Sequence, residues 1–208
     1  MSEPRHIIYY DNGEIRGRLL RDSARLKGIE CRAGSWVWFH ANGMLSSCET
    51  AENTIVENIP CRADTRIYFH ENGRLMRCFL PCDSALKGIP VRSDTFLLFH
   101  ENGMISACRL SEDFLCQGIR CKAGTWIGFH DNGSIKRCVL AEDIIKDGVM
   151  LRAGSWVCFH RNGVLENYKL TEDAVIQGIE YHTGDILLFD ENGWLYEKVP
   201  GTLINYQR

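Results

Sequence analysis

One short element constrains this chain more than any other, because it returns at a fixed spacing from one end to the other. The element is Phe-His-x-Asn-Gly, first seen intact at Phe39-His40-Ala41-Asn42-Gly43, and its glycine recurs at positions 13, 43, 73, 103, 133, 163 and 193. Asn-Gly between two apolar runs predicts a β-hairpin, since both residues tolerate the positive φ of a type I′ turn. Self-similarity with a period of 30 residues indicates a repeat architecture.

A second, smaller turn signal lies midway between successive Asn-Gly turns. It reads Lys27-Gly28 in one copy and Glu57-Asn58 in the next, with short apolar pieces on either side. No stretch combines helical periodicity with a cap at its start. We therefore predict an all-β protein with four short strands in each repeat. The whole chain, 1–208, is predicted to be a single repeat domain of seven hairpins, centred on residues 12–13, 42–43, 72–73, 102–103, 132–133, 162–163 and 192–193.

Two architectures accommodate such repeats. Equivalent residues lie ~4.8 Å apart in a stacked β-solenoid and ~10 Å apart in an array of side-by-side hairpins. A basic residue recurs in every repeat from Arg32 to Arg152. Like charges at the shorter spacing repel by roughly 0.9 kcal/mol even in water, although nearby acidic residues offset part of that. We predict an elongated hairpin array, with the stacked solenoid as the alternative.

The turn position also predicts which side chains share a face. A two-residue turn at Asn42-Gly43 pairs residue 39 with 46 and residue 37 with 48, and opposed residues point to the same side. One face then collects Val37, Phe39 and Cys48 and is predicted to be packed. The other face collects residues of mixed character, which include Trp36, Trp38, His40, Leu45, Ser47 and Glu49.

Composition excludes some classes of function. The net charge is −3 and no basic run occurs, which disfavours a nucleic-acid partner. The N-terminal residues lack the apolar region of a secretory signal, and no apolar run is long enough to span a bilayer, so a cytoplasmic protein is predicted.

Seven of the ten cysteines occupy two repeat positions at which other copies carry Val, Leu or Tyr, so we predict reduced core thiols. Cys82 and Cys116 lie off those positions and are candidates for exposed thiols.

The repeat resembles a known family. Gly118-Ile119-Arg120-Cys121-Lys122-Ala123-Gly124-Thr125-Trp126-Ile127-Gly128-Phe129-His130-Asp131-Asn132-Gly133 is similar to the MORN-variant repeat of bacterial antitoxin-like proteins, and the likeness covers 5–199. His replaces the second Tyr of the family pattern in five copies, and the unit is longer than is usual there. The resemblance implies an array of β-hairpins that binds or scaffolds, at membranes or against a toxin partner, and it implies no enzymatic activity.

An aromatic and histidine face is the main candidate site. Aromatic side chains supply rigid anchors at interaction surfaces, although the same residues also stabilise a sheet by stacking across strands. The residue types at positions 36 and 38 vary between repeats, which is typical of a surface. The predicted partner-binding residues are Trp36, Trp38, His40, Tyr68, His70, Phe96, His100, Trp126, His130, Trp156 and His160.

The five histidines and the five basic residues each form a column, meaning equivalent positions in successive repeats. A line of histidines suggests metal ligands or a proton-sensitive strip, but a column spreads ligands that must converge on one point. We therefore predict no metal site and no cofactor, with each histidine covering its hairpin and hydrogen-bonding locally. The basic column is predicted to pair with the acidic column at 112–113, 142–143 and 172–173, and an anion-binding strip is the alternative: Arg32, Arg62, Arg92, Lys122 and Arg152.

No catalytic motif is present, and we predict a binding or scaffold repeat protein without enzymatic activity. Its partner is predicted to be a protein that docks on the aromatic and histidine face. One alternative is an anionic lipid or polyanion surface bound by the basic column, and another is an antitoxin-like role against a toxin. Sheet edges at 5–10 and 194–199 also predict end-to-end self-association unless something caps them.

Overall fold

The structure, a computed structural model, describes residues 6–199, which form strands and turns and contain no helix. The chain divides into two compact units, 1–108 and 109–208, and each is described by itself. Parts of the predicted domain and edges, 1–5 and 200–208, lie outside the described residues, and the prediction of a single domain stays a prediction. The all-β class is confirmed.

Each repeat contributes one large hairpin to a sheet and one small hairpin beside it. Strands are numbered in chain order. The sheet strands of the first unit are β1 Ile7–Tyr9, β2 Ile15–Leu19, β5 Trp36–Phe39, β6 Leu45–Glu49, β9 Arg66–Phe69, β10 Leu75–Phe79, β13 Phe96–Phe99 and β14 Ile105–Arg109. Those of the second unit are β17 Trp126–Phe129, β18 Ile135–Val139, β21 Trp156–Phe159, β22 Leu165–Lys169, β25 Ile186–Phe189 and β26 Leu195–Val199.

The small hairpins are separate two-stranded sheets. In the first unit they are formed by β3 Ala24–Leu26 with β4 Ile29–Cys31, β7 Thr54–Val56 with β8 Ile59–Cys61, and β11 Ser84–Leu86 with β12 Ile89–Val91. In the second unit they are formed by β15 Phe114–Cys116 with β16 Ile119–Cys121, β19 Ile144–Lys146 with β20 Val149–Leu151, and β23 Ala174–Ile176 with β24 Ile179–Tyr181.

Strand order confirms the hairpin array over the solenoid. In the first unit the sheet runs β1-β2-β5-β6-β9-β10-β13-β14, and in the second it runs β17-β18-β21-β22-β25-β26, with neighbouring strands antiparallel. Equivalent strands such as β5 and β9 are separated by one other strand, β6, so they lie two strand spacings apart, or ~10 Å. This is the spacing that separates like charges in the basic column.

The small hairpins cover one face of the sheet and create the core. Cys31 of β4 lies opposite Thr50 at the end of β6, and Arg32 N donates to Glu49 O at 2.8 Å. Cys31 and Cys48 both have no exposed surface. The Cys31 thiol donates to Ile29 O at 3.6 Å. The predicted packed face is confirmed at Val37 and Cys48, which are buried, whereas Phe39 is half-buried. Four leucines on the same face are also buried: Leu80, Leu110, Leu140 and Leu170.

The cysteines are all free thiols, and the seven that share two columns are buried. A buried thiol behaves as a small hydrophobe, because burial disfavours the charged thiolate. At Cys108, burial raises the pKa of the thiol to about 12. Of the two cysteines predicted to be exposed, Cys82 is exposed and Cys116 is half-buried.

The Asn-Gly turn differs from the predicted type I′ turn. His40 and Gly43 enclose the turn, since Gly43 N donates to His40 O at 2.9 Å, and His40 N donates to Met44 O at 2.8 Å. Only Gly43 of this loop has a positive φ, 78°. The loop is therefore a three-residue connection with a glycine bulge. The Asn42 side chain supports it, because its Oδ1 accepts a hydrogen bond from Met44 N at 3.0 Å.

This loop corrects the predicted register near the turn. Phe39 is opposite Leu45 rather than residue 46, and a bulge then restores the predicted register at Trp38 and Ser47. Leu45 consequently points into the core, where 4% of its surface is exposed, so its assignment to the mixed face was wrong. Farther from the turn the prediction is confirmed, since Val157 and Tyr168 of a later repeat are opposite each other, as residues 37 and 48 were predicted to be.

The type I′ geometry occurs instead in the small hairpins. Lys27 and Gly28 have φ of 51° and 82°, and Leu26 is opposite Ile29 across a two-residue turn. The residue at the first turn position can also reach the large hairpin of the next repeat. Glu57 Oε1 accepts from Leu75 N at 3.1 Å. The small hairpin is therefore tied to the sheet at both of its ends.

Candidate partner-binding surface

The face of the sheet turned away from the small hairpins is called the open face. Its side chains point away from the side of the sheet on which Val37 and Cys48 are buried. In the first unit it comprises Trp36, Trp38, Ser47, Glu49, Arg66, Tyr68, Arg77, Phe79, Phe96 and Leu98. In the second unit it comprises Trp126, Gly128, Arg137, Val139, Trp156, Cys158, Asn167, Lys169, Ile186 and Leu188. The aromatic residues predicted from sequence therefore do share a face within each unit.

Trp36 and Trp38 form a stacked pair at the beginning of this face. Their ring centroids are 5.5 Å apart with an interplanar angle of 24°. Trp38 lies across Gly17 on the neighbouring strand, where a Cβ atom would come within 2.8 Å of the indole ring. The absence of a side chain at Gly17 thus lets the indole lie flat on the sheet.

A depression of about 490 Å³ lies beside this tryptophan pair. Trp38 and Tyr68 line it together with two cations, Arg16 and Arg66. The guanidinium of Arg66 is held by the protein, since its Nη1 donates to Trp36 O at 3.1 Å and its Nη2 lies 3.9 Å from a Glu49 oxygen. The depression thus combines aromatic walls with positive charge.

The next aromatic pair on the face encloses an arginine. Arg77 is opposite Tyr68 on one side and Leu98 on the other, and its guanidinium carbon lies 3.9 Å from the centroid of the Tyr68 ring and 5.7 Å from that of Phe96. Phe96 in turn meets Phe79 edge to face at 6.5 Å. Such cation–π contacts hold a guanidinium in one plane while its donors remain available.

In the second unit the most exposed aromatic residue of the face is Trp156. Half of its surface, 50%, is exposed. It lines a cavity of about 660 Å³ together with Arg137, Cys158, Asn167 and Lys169. Burial raises the pKa of the Cys158 thiol, and nearby Glu166 raises it further, so this sulfur is poorly suited to act as a thiolate nucleophile.

The histidine column joins each repeat to the following one. In each of four copies, Nε2 of the histidine lies against the carbonyl oxygen of the phenylalanine one repeat downstream, which requires Nε2 to carry the proton. The distances are 2.9 Å for His40 and Phe69, 3.0 Å for His70 and Phe99, 2.8 Å for His130 and Phe159, and 2.7 Å for His160 and Phe189. The sequence predicted local hydrogen bonds for this column, whereas these four bonds cross from one repeat to the next.

The two departures from histidine in this column follow the same arrangement. Tyr10 in the first hairpin still donates to the next repeat, since its hydroxyl bonds Phe39 O at 2.8 Å. Asp190 in the seventh hairpin accepts bonds instead, from Asn192 N and Trp194 N, both at 2.9 Å. Those backbone donors lower the pKa of Asp190, Trp194 most of all. The column therefore contains a donor in the earlier copies and an acceptor at its end.

Most of the basic column engages partners inside the protein. Arg32 Nη1 lies 3.0 Å from Asp64, and Arg92 lies 3.3 Å from Asp94. Arg152 is paired with both Asp143 and Glu172. The remaining members differ, because Arg62 lies over the Phe79 ring at 5.4 Å and Lys122 is exposed. Pairing with the predicted acidic column is thus seen at Arg152, whereas Arg32 and Arg92 pair with aspartates at other repeat positions.

One exposed apolar feature was missed by the sequence reasoning. The central residues of the first strands of the small hairpins point to solvent, and several are apolar. The most exposed is Ile55, at 73%, and the second unit places Leu115, Ile145 and Val175 at the equivalent positions. The signal was present in the sequence, because three-residue strands alternate, and an apolar central residue between two buried ones has to face outward.

Metal, membrane and family comparisons add few constraints. Among residues 6–199, no cluster of three or more His, Cys, Asp or Glu side chains is arranged to hold a metal ion. Within the same residues, no helix has the length and apolar character to cross a membrane. No family model matches the chain, and no curated protein matches it either.

Proposed function

We propose that this chain is a binding repeat protein that engages a protein partner through the aromatic residues of its open face. The observation that carries the proposal is the half-exposed Trp156, which lines a cavity of about 660 Å³ on that face. Tryptophan and arginine are the residue types that dominate the energetics of protein interfaces. An aromatic side chain left at the surface beside a concavity is suited to insert between, or to cover, side chains of a partner.

The character of the whole face supports the same function. In the first unit it carries Trp38, Tyr68 and Phe96, separated by arginines rather than by lysines. Arginine is enriched at interfaces, whereas lysine is depleted. The predicted histidines contribute differently, because their Nε2 atoms are bound to the next repeat. We assign them the role of holding the hairpins in register so that the aromatic residues keep their spacing.

A partner pull-down with two matched variants tests the proposal. The bait is the full chain, as wild type, as Trp126→Ala/Trp156→Ala, and as the control Leu115→Ala/Ile145→Ala, which removes apolar surface from the small hairpins of the same unit. A protein captured by the wild type and by the control, and lost with the tryptophans, is the expected result. Truncating a central tryptophan typically costs more than 2 kcal/mol, or over thirtyfold in affinity.

Two other results contradict the proposal. Loss of the captured protein with the Leu115 and Ile145 variant alone would place binding on the small hairpins. Capture of anionic lipid by all three baits, abolished by salt, would instead favour the exposed cations of the basic column, because screening weakens such contacts. Circular dichroism of each bait verifies that the substitutions leave the sheet intact.

A further inference from the structure

We propose that the partner presents an acidic segment to the first unit and that one of its carboxylates binds Arg77. This inference rests on the proposed function and specifies the chemistry of the partner. It would make Arg77, which is held between two aromatic rings, the anchor of the open face in residues 6–108.

The position of Arg77 is fixed by its neighbours on both sides. Its guanidinium lies 3.9 Å from the Tyr68 ring centroid and 5.7 Å from that of Phe96. Both neighbours are on adjacent strands, since Arg77 is opposite Tyr68 and Phe96 is opposite Phe79. Restricting the guanidinium in this way lowers the entropic cost of forming a bidentate pair with a carboxylate.

One donor of Arg77 has no hydrogen-bond partner within the described part of the chain. Its Nε is buried and has no hydrogen-bond partner, and among residues 6–199 no carboxylate forms an ion pair with its guanidinium. Arg66 on the same face provides the contrast, because it donates to the Trp36 carbonyl and lies near Glu49. A buried Nε–H without an acceptor is an unusual arrangement in a folded protein. A carboxylate supplied from outside would satisfy its remaining donors.

Charge around Arg77 is complementary to an acidic segment. Arg16 and Arg66 line the adjacent depression, whose aromatic wall is the same Tyr68 ring. Glu49 is the acidic residue of this face in the first unit, and it already lies near Arg66. The face is therefore positive locally, in a chain whose net charge is −3. An extended acidic peptide crossing Arg77 would find further cations along the depression.

The same geometry favours a carboxylate over a nucleobase or a lipid headgroup. Binding of single-stranded nucleic acid relies on free ring faces for stacking. Here Arg77 occupies one face of Tyr68, and Trp36 and Trp38 stack on each other. A lipid surface is recognised by clustered charge that is insensitive to the geometry of one side chain, whereas Arg77 is a single guanidinium fixed in one plane.

The second unit provides a matched position without the rings. Arg137 is the equivalent residue, but its opposed neighbours are Gly128 and Cys158. Its side chain is exposed and lies over Gly128, where a Cβ would meet the Arg137 Cγ at 3.1 Å. Arg137 therefore carries the same charge on the same face and lacks the aromatic enclosure, so it is the internal control.

The experiment measures binding of a fluorescein-labelled Glu-rich peptide to the full-length protein by fluorescence anisotropy at physiological salt. The variants are Arg77→Gln, Arg77→Lys, Tyr68→Leu and the control Arg137→Gln. We expect Arg77→Gln to weaken binding about tenfold or more, as for the loss of a charged hydrogen bond. Arg77→Lys should weaken it comparably, because lysine keeps the charge and loses the planar fork. Arg137→Gln should change it less than about twofold, as expected of an exposed charge.

A spectroscopic readout separates direct binding from loss of structure. In the wild type, titration with the Glu-rich peptide should shift the Nε–Hε resonance of Arg77 in the NMR spectrum and leave that of Arg137 in place. The matched peptide with Gln in place of Glu should shift neither. Tyr68→Leu should reduce affinity for the Glu-rich peptide while the rest of the spectrum is retained, because it removes the ring that orients the guanidinium.

Several results would overturn the inference. These are equal binding of the Gln peptide, equal losses for Arg77→Gln and Arg137→Gln, or full binding by Arg77→Lys. Tighter, Arg77-dependent binding of poly-uridylate or of phosphatidylserine vesicles would assign the site to another class of partner. If Trp126→Ala/Trp156→Ala abolishes partner capture while no Arg77 variant affects the peptide, the proposed function stands and this inference fails.

Discussion

At the scale of single residues, the histidines explain how neighbouring hairpins stay in register. Each ring donates from Nε2 to a carbonyl 29 residues downstream, and the following asparagine makes a similar bond, as in Asn42 Nδ2 to Glu71 O at 2.9 Å. The carbonyl groups that accept these bonds lie at strand ends and loops, where the sheet ladder does not use them. In the turns that contain Asn42, Asn72, Asn132 and Asn162, two side chains thus bind the next repeat.

His70→Ala tests this role directly. We expect the free energy of unfolding to fall by about 1 kcal/mol, the usual net contribution of one hydrogen bond, with a further loss from the ring contacts. Urea denaturation followed by circular dichroism measures the change. The control is Glu71→Ala, since its exposed side chain makes no bond while its carbonyl still accepts from Asn42; its effect should stay within about 0.5 kcal/mol. An equal loss in both variants would refute a specific role for the histidine.

Gly17 and Trp38 form a second residue-scale pair that a double-mutant cycle can test. Gly17→Ala places a methyl group 2.8 Å from the Trp38 ring, so we expect a loss of about 1–3 kcal/mol through overpacking. In a Trp38→Leu background the same change should stabilise by roughly 0.5–1 kcal/mol, because alanine favours a strand more than glycine does. Thermal unfolding of the four proteins gives the coupling. Additive effects would show that the close approach has no energetic consequence.

At the scale of the element, the sequence predicted the hairpins and their packed columns but assigned the tight turn to the wrong place. Asn-Gly is locally suited to a type I′ turn, yet Asn42 bonds both Met44 N and the next repeat, and that combination favours the longer loop. Local turn rules cannot include a bond to a residue 29 positions away. Lys27-Gly28 is the weaker local signal, and it forms the type I′ turn. The aromatic face was predictable from alternation alone, whereas the ring contacts of Arg77 depend on three strands meeting.

The turn between a large hairpin and the next small one has its own carboxylate. Asp143 Oδ1 accepts from Ala153 N at 2.7 Å, and Asp83 and Asp173 do the same for Ser93 and Thr183 at the equivalent positions. These backbone bonds, more than any other cause, lower the pKa of each carboxyl. Asn53 occupies the same column and makes the same bond without a titratable group. Asn53 therefore provides a copy of this hydrogen bond that does not depend on pH.

These carboxylates predict part of the acid sensitivity of the fold. Because their pKa is lowered in the folded state, they contribute stability that is present above the unfolded value of ~4 and is lost as the pH falls through the lowered folded value. We expect the melting temperature of the triple variant Asp83→Asn/Asp143→Asn/Asp173→Asn to fall less between pH 7 and pH 3 than that of the wild type. Differential scanning calorimetry at the two pH values measures these melting temperatures. Glu52→Gln/Glu71→Gln/Glu112→Gln removes the same charge from exposed positions, and a matching reduction there would refute the explanation.

At the scale of the whole molecule, stability arises from contacts between neighbouring repeats. Within each compact unit the sheet pairings join strands adjacent in the array, and the bonds of the histidine column reach one repeat and no farther. Proteins of this kind behave as sums of repeat and interface terms. Loss of one full repeat should therefore shorten the array and leave the contacts between the remaining repeats in place.

Two deletions in the first unit test this additivity. Removal of residues 44–73 joins Gly43 to Arg74 and keeps every column in register, so we expect a folded β protein whose denaturant m-value is lower by about one seventh. Removal of residues 44–58 joins Gly43 to Ile59, which exchanges a large-hairpin strand for a small one and should prevent cooperative folding. Circular dichroism and urea titration distinguish the two. Cooperative unfolding of the shorter deletion would show that the 30-residue period is not the folding unit.

The donor at Tyr10 and the self-contained turn of Asp190 have a consequence for how such a chain changes length over generations. Recombination between near-identical DNA repeats adds or removes whole copies at internal positions. A repeat inserted at an internal position accepts a hydrogen bond from the histidine of the preceding repeat and donates one to the phenylalanine carbonyl of the following repeat. It therefore needs no compensating mutation. The seventh hairpin accepts a donor from His160 and requires no successor for its own side chain. Copy number is therefore free to drift among the interchangeable hairpins, whereas the hairpins of Tyr10 and Asp190 differ from the others in what they donate and accept.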